Sequence, residues 1–71
     1  MAEEIKSPMA GKVISILVSV GDTIEEDDDI MLLEAMKMET TVFSSADGTV
    51  KEIKVQPGDK VDEEQTVMIV E

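Results

Sequence analysis

The sequence predicts an all-β protein of two small sheets packed face to face and related by a pseudo-two-fold axis. Three observations predict it: a gapless internal repeat, short β-branched segments that start from glycines, and Gly-Asp turns at matching places in both halves. A shift of 37 residues lays residues 7–34 onto 44–71, and ten of the 28 aligned positions are identical. They are Ser7/Ser44, Gly11/Gly48, Val13/Val50, Ile16/Ile53, Val18/Val55, Gly21/Gly58, Asp22/Asp59, Glu26/Glu63, Met31/Met68 and Glu34/Glu71. Ile24/Val61, Ile30/Val67 and Leu32/Ile69 are conservative. Shared β composition yields similar residues but not a gapless register, so the repeat is real.

Each copy reads as strand, turn, strand. Residues 11–18 and 48–55 begin at a glycine and are rich in β-branched side chains. Val50-Lys51-Glu52-Ile53-Lys54-Val55 partly alternates apolar and polar, as a half-buried strand does. Val20-Gly21-Asp22 and Pro57-Gly58-Asp59 carry turn residues. Residues 30–34 and 67–70 are short apolar strands. Residues 32–39 are the one helix-friendly stretch, but Leu32-Leu33-Glu34 aligns with Ile69-Val70-Glu71, and the repeat argues for strand.

The repeat also predicts pairing. Residues 30–34 map onto 67–71, and residues 40–43 onto 3–6. If 30–34 and 40–43 form a hairpin across 35–39, symmetry pairs the N-terminal strand with the C-terminal strand. The chain ends then lie at one end of the sandwich and the hairpin, with Lys37, at the other.

Composition narrows the function. The chain has 71 residues, 42% of them hydrophobic, with a single aromatic, Phe43. That is enough for one domain, residues 1–71, with a thin core and little room for a deep catalytic pocket. This favours a carrier or binding module over an enzyme. There is no cysteine, hence no disulfide framework and no cysteine-ligated zinc site. There is no histidine, which removes the commonest general base and the commonest metal ligand together. The net charge of −11 argues against nucleic acid and anionic membranes, and suits solubility or docking on basic partner surfaces. No apolar run approaches the roughly 20 residues that span a membrane. Met1-Ala2-Glu3-Glu4 is acidic where a secretory signal is positive, which makes a cytoplasmic protein the simplest expectation. The acidic run Glu25-Glu26-Asp27-Asp28-Asp29 lacks the spaced ligands and the glycine of an EF-hand loop, and reads as a solvated turn.

Between the repeats lies Glu34-Ala35-Met36-Lys37-Met38-Glu39-Thr40, for which symmetry supplies no counterpart. With Met36-Lys37 as a two-residue loop, Ala35 faces Met38 and Leu33 faces Thr40. Such turns favour Asn-Gly or Asp-Gly, because both central residues often need positive φ. Met-Lys breaks that preference, and local rules tend to be broken where function demands it. A lysine at a hairpin tip projects a long stem and an amine able to form an amide. An ordinary exposed turn lysine is the plain alternative. The flanking methionines suit a surface that meets a partner, or fill gaps in the core. They also offer soft ligands for copper(I), though no cysteine or histidine supports them.

At these residues the chain resembles the biotinyl domains of biotin-dependent carboxylases and decarboxylases. Ala35-Met36-Lys37-Met38 reproduces the family's Ala-Met-Lys-Met motif, and 34 residues follow Lys37, close to the family's spacing. Ser7-Pro8-Met9-Ala10-Gly11 is similar to its Pro-Met-x-Gly stretch, and the two Gly-Asp turns also match. The similarity covers essentially the whole chain. It departs at Asp27 and Glu64, where glycine is usual, and at Ala10, where proline is common. Asp27 tolerates left-handed backbone; Glu64 is less expected, so these turns have room to differ in shape. The protruding loop of some bacterial acetyl-CoA carboxylase carriers is absent.

The resemblance implies a flattened barrel-sandwich of two four-stranded antiparallel sheets with the modified lysine on an exposed hairpin turn. It implies covalent biotin on Lys37, joined by biotin protein ligase, with Ala35, Met36 and Met38 completing the attachment motif. The domain would be a non-catalytic biotin carboxyl carrier. Biotin carboxylase would load a carboxyl group using ATP and bicarbonate, and a carboxyltransferase or decarboxylase subunit would unload it. With no fused domain or linker and Met1-Ala2 reading as a natural start, a separate carrier subunit is expected, with an excised domain as the alternative. A lipoyl carrier for 2-oxo acid dehydrogenases or glycine cleavage shares the fold, but typically flanks its lysine with Asp and Ala. An unmodified interaction module is the third reading, in which Lys37→Ala has no effect.

Overall fold

A computed structural model describes residues 2–71; Met1, the first residue of the expected domain, lies outside the described residues. Eight strands follow one another: β1 (Glu3–Lys6), β2 (Gly11–Ile16), β3 (Thr23–Ile24), β4 (Asp29–Ala35), β5 (Met38–Phe43), β6 (Gly48–Ile53), β7 (Lys60–Val61) and β8 (Thr66–Val70). They form two four-stranded sheets, ordered β1-β8-β6-β3 and β5-β4-β2-β7, and every pairing is antiparallel. No helix among the described residues is long and apolar enough to cross a membrane.

The 37-residue shift carries each strand of one sheet onto a strand of the other: β1 onto β5, β8 from β4, β6 from β2, and β3 onto β7. The backbone hydrogen bonds repeat with it. Gly21 N–H donates to the Val50 carbonyl and Gly58 N–H to the Val13 carbonyl, both at 2.8 Å. In the turns before them, an Asp22 oxygen accepts from Ser19 N–H and an Asp59 oxygen from Gln56 N–H. Matching core pairs fill the space between the sheets: Ile5 with Val42, Val13 with Val50, Met31 with Met68, and Leu33 with Val70, all fully buried. The repeat is therefore a record of symmetric packing as well as of chain order.

β1 pairs with β8, Glu3 opposite Val70, as the repeat requires. Residues 7–10 carry β1 to Gly11 and Lys12, beside Glu34 at the base of the β4–β5 hairpin. Residues 44–47 carry β5 to Gly48 and Thr49, beside Glu71. The hairpin and the paired chain ends thus occupy opposite ends of a body 34 Å long.

The structure departs from expectation at several ends. β2 and β6 stop at Ile16 and Ile53, two residues early, because the chain turns away toward the Asp22 and Asp59 turns. The two-residue strands β3 and β7 are additional. They are too short to show a period, and only their partners β6 and β2 define them. Asp27 and Glu64 both take left-handed backbone, φ 74° and 68°, so the two turns keep the conformation that glycine serves without it. In the acidic run, Asp28 caps the Glu25 N–H across a solvent-exposed turn.

Candidate functional site

The β4–β5 ladder positions the hairpin. Its register sets Leu33 opposite Thr40, Glu34 opposite Glu39 and Ala35 opposite Met38, leaving Met36 and Lys37 as the two-residue loop. Their φ values are 54° and 66°, the pair of positive angles that a type I′ turn requires. Each costs a side-chain-bearing residue about 1–2 kcal/mol. The ladder on both sides and the buried Leu33 and Ala35 hold the turn against that cost.

The four motif residues divide between core and solvent. Ala35 is buried, whereas Met36 is 93% and Met38 69% exposed. Lys37 is exposed, and among the described residues it takes part in no ion pair. Core filling therefore describes Met31 and Met68, which are fully buried, and not the methionines that flank Lys37.

The strand flanks carry charge. Lys60, Lys12, Glu34 and Glu39 lie side by side across β7, β2, β4 and β5, and all four are exposed. Glu34 and Glu39 are like charges directly opposite, an arrangement that destabilises a sheet. Beneath them Gly11 admits the Glu34 backbone at a distance no side chain would permit. That role was legible only as the repeated Gly11/Gly48 pair, not as part of the site. The structure thus brings Met36, Lys37 and Met38 together at a solvent-facing tip above an acidic pair.

The structure is a pseudo-symmetric barrel-sandwich that offers one lysine on a strained tip. Comparison with known proteins assigns it more narrowly. The family model described as "biotin-requiring enzyme" matches residues 3–71, and the chain belongs to that family. It is 44% identical over 54 residues to the biotin carboxyl carrier protein of Streptococcus mutans, which is 76% of this chain but only 42% of that protein's length. It is 38% identical over 55 residues to a biotinylated protein of Mycobacterium leprae, covering 78% of each. Among solved structures, the Kluyveromyces lactis urea carboxylase contains a region that superposes with a TM-score of 0.91 at 31% identity. That match covers 99% of this chain and 6% of the carboxylase.

Proposed function

We propose that residues 1–71 form one biotin carrier domain, with biotin joined to the Nζ of Lys37 as an amide. The observation that carries this reading is the Met36-Lys37 tip: a strained I′ turn spent on displaying a lysine between two exposed methionines. The donor set fits the group. An amine that makes no ion pair is available to a carboxyl group, and amide formation removes its positive charge without leaving a buried partner unsatisfied.

Bound biotin would supply a ring nitrogen that accepts and gives up a carboxyl group. The protein's part is positional. Lys37 tethers, the rigid hairpin aims, and Met36 and Met38 offer a soft apolar rim to the enzymes that must enclose the tip. Tethering replaces bimolecular encounter by a high effective concentration. A biotin protein ligase would read the folded hairpin. Biotin carboxylase and carboxyltransferase or decarboxylase subunits would be the later partners, in the cytoplasm, and the domain itself would be non-catalytic.

The test is the intact mass of the wild-type chain and of Lys37→Arg after incubation with biotin, ATP and biotin protein ligase. One added biotinyl group on the wild type alone is expected. No addition to either overturns the reading, and a gain from lipoate with lipoate ligase instead would assign the lipoyl alternative.

A further inference from the structure

The two sheets share a backbone plan but not an outer surface. On β5-β4-β2, Phe43, Leu32 and Ile14 stand on the outer face, continued by Leu17, which follows β2 and donates its N–H to the Ile30 carbonyl; Phe43 is 54% and Leu17 47% exposed. Their counterparts on β1-β8-β6 are Lys6, Ile69, Lys51 and Lys54, and there Lys51 pairs with Glu71 and Lys54 with Glu52. Three of the four positions have thus exchanged an apolar side chain for a lysine, while the core pairs behind them stayed matched. The only aromatic residue of the chain is spent on this surface, not in the core.

The rim has a sign. Asp29 stands opposite Phe43, and Glu34 and Glu39 close the hairpin side with Lys12 beside them on β2; Lys60 lies beyond, on β7. With a net charge of −11, a second copy of this chain would meet the patch with the same predominantly acidic rim and be repelled. The complementary occupant is a protein surface with an apolar centre and a basic border.

We propose that the outer face of β5-β4-β2, centred on Phe43 and Leu17, is where the carrier docks on its partner enzyme, separately from the Lys37 tip. It rests on the carrier reading above. A docking face on the sheet that bears the hairpin fixes the orientation of the tip relative to the partner, which the flexible lysine stem alone cannot do. An exposed aromatic anchor among smaller apolar neighbours has the character of an interface hot spot.

The ¹⁵N-labelled chain, unbiotinylated, would be titrated with its cognate biotin carboxylase and carboxyltransferase subunits, each purified. Saturable binding to at least one subunit is expected, with amide signals of Leu17, Leu32 and Phe43 perturbed and affinity falling as salt rises. Phe43→Ser and Leu17→Ser should each raise Kd by about tenfold or more, whereas Lys54→Ser on the opposite sheet should not. Unchanged Kd in both patch variants, perturbation confined to the hairpin or to β1-β8-β6, or no saturable binding of either subunit would overturn the proposal. Wild-type-like dispersion of the variant spectra separates lost docking from lost folding. The mass test on Lys37 reports independently on the carrier reading.

Discussion

Gly11 lies against the backbone of Glu34: a Cβ at Gly11 would sit 2.5 Å from the Glu34 carbonyl oxygen. Its counterpart Gly48 would meet the Glu71 carbonyl oxygen at 2.7 Å, and Gly48 also holds φ 148°, which Gly11 does not share. Backbone cannot yield as a side-chain tip can. Overpacking of this kind costs about 1–3 kcal/mol, and Gly48→Ala adds backbone strain. Denaturant unfolding should show both alanine variants destabilised, Gly48→Ala the more. Only Gly11→Ala should also slow biotinylation, because Glu34 leads directly into the Lys37 turn. Wild-type stability of Gly11→Ala would contradict the close approach.

The left-handed turns at Asp27 and Glu64 invite improvement. Glycine relieves a left-handed cost of about 1–2 kcal/mol but adds about 0.4–1 kcal/mol of unfolded-chain entropy. Asp tolerates the conformation better than Glu. Glu64→Gly should therefore stabilise by about 0.5–1 kcal/mol in thermal unfolding, and Asp27→Gly by less. The opposite ranking would show that side-chain contacts, not backbone conformation, govern these turns.

The methionines should separate stability from recognition. Met31→Ala and Met68→Ala remove fully buried side chains, and each should cost about 2–5 kcal/mol. Met36→Ala and Met38→Ala act at exposed positions and should shift stability by no more than about 0.5 kcal/mol. They should nevertheless lower kcat/KM of biotinylation. A large loss of stability in Met38→Ala, or unchanged biotinylation in both, would count against the division of roles.

The Lys51–Glu71 pair, 2.7 Å apart on the outer face of the opposite sheet, sets a pH signature. The hydrogen bond from Lys51, then its charge, holds the Glu71 carboxyl below its ordinary value of 4.5, and Glu71 likewise raises Lys51 above 10.5. The Glu71 contribution to stability is complete above the ordinary carboxylate value and is lost as pH falls through the lowered one. The Lys51 contribution is complete below the ordinary lysine value and is lost as pH rises through the raised one. Solvent screens the pair, so its effect on stability is small. NMR titration should place the Glu71 midpoint below that of an ordinary glutamate, returning toward it in Lys51→Met. An unmoved midpoint would mean that the pair does not persist in solution.

Much of this was legible without coordinates. The gapless register of residues 7–34 on 44–71 imposed matched packing, and with it the pairing of β1 with β8. The hairpin register, Leu33 with Thr40 and Ala35 with Met38, followed from placing a two-residue loop at Met36-Lys37. Positive φ at both loop residues followed from the turn type that such a loop demands. The strands β3 and β7 were not legible, because two residues carry no period. Nor was the outward placement of Phe43. Ile14 and Lys51 each fall where the ladder register slips, and a one-residue slip exchanges the faces of a strand.

By itself, then, the sequence determined the repeat, its longer strands, and the lysine at the break in its symmetry. These are properties of order along the chain, and a period or a shift reveals them. Only the tertiary structure decided which methionines are core and which are rim, that Gly11 supports the hairpin, and that one sheet wears an apolar face and its twin a charged one. Each depends on which side of a strand another element covers. That is settled when the two halves exchange strands and pack, and no local stretch of sequence carries it.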